Sequence, residues 1–240
     1  MATYPNTTSA SDVWSLRDVY KAEAGGNWPE VVLATINITS LGTTVTQSSN
    51  DVTGIDLSSV SEGDQLILVY GSEGAGDVTA ATLAGTSVTI DLAESGLSTY
   101  PSVAFMSVVA DSSIAGSASA TLSVTSSQQG STQYRCAVAV FIISQSVSAS
   151  ATYSSSEDGT SLSTTIDFST GVLFTAYYDE DDSAPTLTGV ANTIHEEMGS
   201  SSSDFFIGYS DDSNAGSATH AIGYTNGAPD GTAFGAVVYS

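Results

Sequence analysis

Two imidazoles, one thiol and a large excess of carboxylates carry the acid–base and ligating chemistry of this 240-residue chain. The imidazoles are His195 and His220, the thiol is Cys136, and Asp and Glu number 26. A hydrolytic serine needs a base beside it and a strained elbow to present it, and no Gly-x-Ser-x-Gly sequence is present. His195-Glu-Glu197 lacks the second His that a helical zinc-protease motif supplies. With no cluster of Cys and His, a structural zinc is excluded. No phosphate-cradling Gly-rich loop follows a strand-like run. Glycoside hydrolysis needs a pair of carboxylates, and nothing marks one pair among the 26. The chain therefore reads as a non-enzyme, with no cofactor expected beyond the ion considered next.

The densest local charge is Asp179-Glu-Asp-Asp182. Together with Asp211-Asp212, expected at the equivalent end of a neighbouring strand, it offers hard oxygen ligands. Asp179, Asp181, Asp182 and Asp211 are thus a candidate Ca²⁺ site. The EF-hand spacing and its Gly are absent, and a solvated acidic loop is the other reading. Tyr177-Tyr178, flanked by Asp, reads either as an aromatic platform for a glycan or as members of cross-strand pairs. His220 sits on an alternating strand and reads as a half-buried structural residue. Cys136 sits in an apolar run and reads as a buried, inert thiol. A single Cys makes an internal disulfide impossible.

The elements that must position these residues come in two copies. Val109-Ala-Asp-Ser-Ser-Ile-Ala-Gly-Ser-Ala118 returns as Tyr209-Ser-Asp-Asp-Ser-Asn-Ala-Gly-Ser-Ala218, an offset of 209 − 109 = 100. An apolar strand precedes each copy and an alternating strand follows it. Leu66–Tyr70 leads to Thr82-Leu-Ala-Gly85 much as Val172–Tyr178 leads to Thr186-Leu-Thr-Gly189. So long a period with two copies indicates a duplicated half-domain rather than a solenoid. Strand-like runs recur about every ten residues, with no helical pattern between them, as in a sandwich or barrel. Four main strands per half give the eight of a jelly roll. The expected fold is therefore all-β, a jelly-roll-like antiparallel β-sandwich. Its pseudo-repeated halves lie at about 63–143 and 170–239, within a body spanning 30–240. The run Cys136–Ile143 is apolar on both faces, so its second face is either covered within the body or a subunit contact.

Residues 1–29 read differently. Ser15-Leu-Arg-Asp18 fits a capping box and starts a short N-terminal helix that Gly25-Gly26 ends. About two turns cannot stand alone in water, so Trp14, Leu16, Val19, Tyr20 and Trp28 must pack on something. They are the expected docking residues, either on the chain's own sandwich or on a neighbouring subunit. The first residues have neither a basic n-region nor an apolar h-region, so no secretory leader is expected.

The formal net charge is −23, from 26 acids against three bases. Arg17 and Lys21 lie in the N-terminal segment, and Arg135 is the only base beyond it. Binding to nucleic-acid phosphates or to an anionic membrane is excluded on this balance. An acidic, nearly Lys-free surface suits solubility in salty water.

Two features give the sequence a family likeness. One is Trp14-Ser-Leu-x-x-Val-Tyr-x-Ala, followed by Asn27-Trp-Pro29. The other is the duplicated body, with its Gly63-Asp-Gln-Leu-Ile-Leu-Val69 start and the Ala-x-Ala-Val-x-Val-type strand closing each half. In both, the chain resembles virion structural proteins of tailed bacteriophages, marine ones especially. The resemblance implies a surface-exposed structural role in the virion, as a tail or fibre appendage or a capsid decoration. It implies assembly with other virion proteins through the N-terminal arm, and a homo-oligomer, with trimers favoured. A lectin-like adhesin module that recognises host glycans is the alternative it leaves open.

Overall fold

A computed structural model describes residues 36–47, 49–74, 76–96, 101–127, 135–156, 159–179, 185–198, 204–226 and 232–240. The expected N-terminal helix and the docking residues Trp14, Leu16, Val19, Tyr20 and Trp28 lie outside the described residues. Those described form antiparallel strands, with one 3-10 turn at Asp212–Asn214 and no α-helix.

The first nine strands are β1 (Ile38–Gln47), β2 (Val52–Ile55), β3 (Gln65–Ser72), β4 (Val78–Leu83), β5 (Thr86–Ser87), β6 (Thr89–Ser95), β7 (Ser102–Val109), β8 (Ala120–Ser126) and β9 (Arg135–Ile143). Their pairings nest: β1 with β9, β2 with β8, β3 with β7 and β4 with β5. That is one long hairpin. Rolling it up creates the further pairs β3 with β9 and β4 with β8. The result is a jelly roll whose sheets run β1-β9-β3-β7-β6 and β2-β8-β4-β5.

The chain then repeats the operation with β10 (Ala149–Ser155), β11 (Ser161–Phe168), β12 (Val172–Asp179), β13 (Thr186–Thr188), β14 (Asn192–Glu197), β15 (Asp204–Ser210), β16 (Ser217–Thr225) and β17 (Ala233–Tyr239). The sheets run β10-β17-β12-β15-β14 and β11-β16-β13, the same order with one short strand fewer. The unit that recurs is thus a whole roll rather than half of one. Each copy begins two strands earlier than the expected limits, at β1 and at β10. Those opening strands are rich in Ser and Thr, so their periodicity is faint in the sequence.

Three cores separate the four sheets. The first lies between the two sheets of the first roll, around Leu66, Leu68, Tyr70, Met106 and Val138. The third lies between the two sheets of the second roll, around Leu173, Tyr177, Phe206, Tyr224 and Phe234. The second lies between the rolls, where the two five-stranded sheets meet back to back. It takes Ala137, Ala139 and Phe141 from β9 and Phe174, Tyr178, Phe205 and Ile207 from the opposite sheet. Phe141 sets its ring 4.9 Å from Phe174 and 5.3 Å from Tyr209. The second apolar face of Cys136–Ile143 is therefore covered inside the chain. A strand buried on both faces needs an unbroken apolar run, and β3, β9, β12 and β17 each have one.

Both rolls point the same way. At one end, here the base, lie Ile36, the turns after β7 and β15, the connection 144–148 and the final residue, Ser240. Asn37 and Ser144 bond each other there, as do Ser148 and Ser240, and the Asp212 N–H donates to the Ile36 carbonyl at 3.4 Å. At the other end, the crown, β12 ends and β15 begins.

Candidate functional site

The crown of the second roll holds the densest polar cluster of the described interior. Asp179 closes β12 and Asp204 opens β15, and the two are register partners, so their side chains share a face. Both are buried. Tyr177, two residues earlier on that face, donates its hydroxyl to Asp179 Oδ2 at 3.1 Å. Asn226, following β16, donates its amide to the Tyr177 oxygen at 2.8 Å and also to Asp179 Oδ2. Burial, reinforced by the Asp179 carboxylate, pushes the Tyr177 phenol far above its ordinary range, so it stays a neutral donor. On the neighbouring strand, His195 Nε2 meets Asp204 Oδ1 at 2.8 Å. The His195 ring stacks on Phe206, its register partner, with centroids 4.1 Å apart and planes within 6°. The first roll carries Ser72 and Ser102 as register partners at the same topological place, ending β3 and opening β7. The two carboxylates are thus a feature of the second roll alone.

Chemically, His195 and Asp204 form a base held by a carboxylate, two parts of a triad. The third is missing among the described residues, where no hydroxyl or thiol bonds to His195. What the cluster does is fix strand ends: a buried carboxylate demands donors, and Tyr177 and Asn226 supply them. Asp204 and Asn226 are the members the sequence reading missed. A polar residue at the mouth of an apolar strand, Asp204-Phe-Phe-Ile207, is the signal that marks one of them.

The expected calcium ligands do not converge. Asp179 lies at the crown and Asp211 at the base, at opposite ends of the antiparallel β12–β15 ladder. Seven residues at about 3.3 Å each put roughly 20 Å between them. Asp181 and Asp182 fall outside the described residues. Asp211 caps the 3-10 turn instead, accepting the Ser213 N–H at 3.1 Å, the Ser213 hydroxyl and the Asn214 amide at 2.8 Å. Asp111 does the same in the first roll, accepting the N–H of Ser113 at 2.8 Å and the Thr86 hydroxyl at 2.7 Å. Asp212 reaches the Gly171 N–H at 2.8 Å, and Asp64 that of Ser61 at 2.8 Å. The recurring Asp-containing stretch is therefore a turn-capping device. Among the described residues no three His, Cys, Asp or Glu side chains come together as a metal site.

The expected glycan platform is also corrected. Tyr177 and Tyr178 are both fully buried, on opposite faces of β12, one in the core of the second roll and one in the core between the rolls. Neither ring face is open to a sugar. The continuous apolar run Val172–Tyr178 carried this information, because such a run is covered on both sides. His220 is half-buried, bonded through Nε2 to the Gly189 carbonyl at 2.7 Å and set edge-on to Phe168. Cys136 is buried, its thiol donating to the Ser49 carbonyl at 3.0 Å, and burial pushes its pKa up to about 12. A thiol so placed is neither nucleophile nor ligand at neutral pH.

Compared with known proteins, the chain matches no family description, no curated protein and no solved structure.

Proposed function

We propose that the chain is a non-enzymatic structural protein on the surface of a tailed-phage particle, as a tail or fibre appendage or a capsid decoration, attached through the segment that precedes Ile36. The observation that carries this reading is the polarity of the tandem rolls. Ile36, the first described residue, lies at the base, where its carbonyl accepts from the Asp212 N–H, and the crown is at the opposite end. A rigid double module tethered at one end is what a particle surface requires. Two further points support it. Among the described residues, Asp64, Asp111, Asp211 and Asp212 bind backbone N–H groups of turns, and Asp179 and Asp204 sit at strand ends. The −23 charge keeps exposed modules apart from one another in solution. The lectin-like alternative loses the residues it was built on, Tyr177 and Tyr178. Quantitative mass spectrometry of purified particles tests the proposal. Stoichiometric amounts of the chain are expected, and its presence only in the soluble fraction of the lysate would overturn it.

A further inference from the structure

Of the seven asparagines in the chain, Asn226 alone precedes a glycine, Gly227. That pair of residues has a covalent chemistry of its own. The backbone nitrogen after an asparagine can attack the side-chain Cγ. A five-membered succinimide ring closes, the Cγ–Nδ2 bond breaks, and the amide nitrogen leaves as ammonia. Water then opens the ring at one carbonyl or the other, giving aspartate or its β-linked isomer. A side chain on the attacking residue hinders the approach, and glycine has none. The other asparagines precede Thr, Trp, Ile, Asp or Ala.

The fold places this amide where its loss matters. Asn226 is 4% exposed, just past β16 at the crown. Its N–H donates to the Thr160 carbonyl at 2.8 Å. Its side-chain nitrogen donates to the Tyr177 oxygen at 2.8 Å and to Asp179 Oδ2. Tyr177 and Asp179 are on β12, so one side chain ties together the two sheets of the second roll. The nitrogen that makes both bonds is the atom that deamidation removes. An acid oxygen takes its place and meets the Asp179 carboxylate in a buried site, where a second charge is penalised. The β-linked isomer also lengthens the backbone beside the bond to Thr160. The same contacts protect the amide. Ring closure requires Cγ to swing onto the following backbone nitrogen, and Tyr177 and Asp179 hold it back until the crown opens.

We propose that Asn226 is the site at which this chain deamidates, that the closed crown withholds it from reaction, and that the modified chain rebuilds a weaker crown. Each opening of the crown then risks a permanent change, so the working life of the second roll follows how often its crown opens. This inference is independent of the attachment reading.

Peptide mapping by mass spectrometry of the full chain tests it. Samples are held at mildly alkaline pH, folded in buffer or denatured in guanidinium chloride. The denatured chain should convert at Asn226 before any other asparagine. The folded chain should convert at least about tenfold more slowly, because reaction through an open state follows the population of that state. Gly227→Ala, read in the denatured chain where folding plays no part, should slow the conversion several-fold. Asn226→Asp makes the product directly and should denature at a lower urea concentration than wild type. Asn192→Asp, the same change at an exposed strand position, should keep the wild-type midpoint. Equal rates in the folded and denatured chains, first conversion at another asparagine, a Gly227→Ala chain that converts as fast as wild type, or an Asn226→Asp midpoint equal to that of wild type would each overturn the proposal.

Discussion

A methyl group added to Gly71 would stand 2.5 Å from the ring of Phe205. Gly71 is on β3 of the first roll and Phe205 on β15 of the second, so this contact sets how closely the rolls meet at the crown. Gly235 does the same from the other side, where an added Cβ would stand 2.7 Å from the Phe105 ring. Neither glycine has a positive φ, so closeness of approach and not backbone freedom is what excludes a side chain.

Gly71→Ala should therefore destabilise the chain by roughly 1–3 kcal/mol, the usual cost of forcing extra volume into a packed core. Urea denaturation measures it. Ser163→Ala, on the exposed face of β11, should leave the midpoint within error. Equal midpoints for both variants would mean that the rolls yield freely at their interface.

Phe141→Ala should cost about 3–5 kcal/mol, since it removes a ring that touches Phe174 and Tyr209 of the other roll. A core shared between rolls couples their unfolding, so both wild type and variant should melt in one calorimetric transition. Two resolved transitions in the wild type would show each roll holding itself up, with the shared core contributing little.

The sequence reveals the duplication because turn chemistry is local. Asp111 and Asp211 each bind the N–H two residues on, and only a few residue types can do that. The all-β class shows equally well, in the spacing of apolar runs. The number of layers is harder to read. Period-two alternation says which face of a strand is apolar, not what covers it. Tyr177 and Tyr178 look like an exposed pair beside acids until β15 and β17 flank them and two different cores take their rings. The crown cluster depends on register partners 25 residues apart, Asp179 and Asp204, and on Asn226 from another sheet. No spacing rule brings such residues together.

Removing the imidazole of His195 should expose what it does at the crown. His195→Ala deletes the stack on Phe206 and leaves the buried Asp204 carboxylate without that partner, beside Asp179. A loss of roughly 1–3 kcal/mol is expected, the cost of stranding a buried acceptor. His195→Gln, which can still donate to Asp204, should recover part of it. Chemical denaturation of both variants checks the order, and equal losses would assign the effect to the ring stack alone.

Acid should separate two kinds of carboxylate. The Asp111 pKa is lowered, by the Thr86 hydroxyl first and then the Ser113 N–H, and Asp56 is lowered by the hydroxyl and N–H of Ser58. A lowered folded value contributes stability that is present above the unfolded pKa, about 3.9, and lost as pH falls through the folded one. Asp91 runs the other way. Burial raises its pKa, outweighing the hydroxyls of Ser107 and Tyr239. Its contribution is full below about pH 3.9 and is lost as pH rises through the folded value. Asp111→Asn should thus lower stability at pH 7 and flatten the fall below pH 4. Asp91→Asn, which mimics the protonated acid and can still accept from Tyr239, should raise stability at pH 7 and match wild type at pH 3. Thermal melts of the three chains from pH 7 to pH 3 decide it. An Asp91→Asn chain less stable than wild type at pH 7 would mean that the ionised carboxylate is needed where Tyr239 meets it at 2.9 Å.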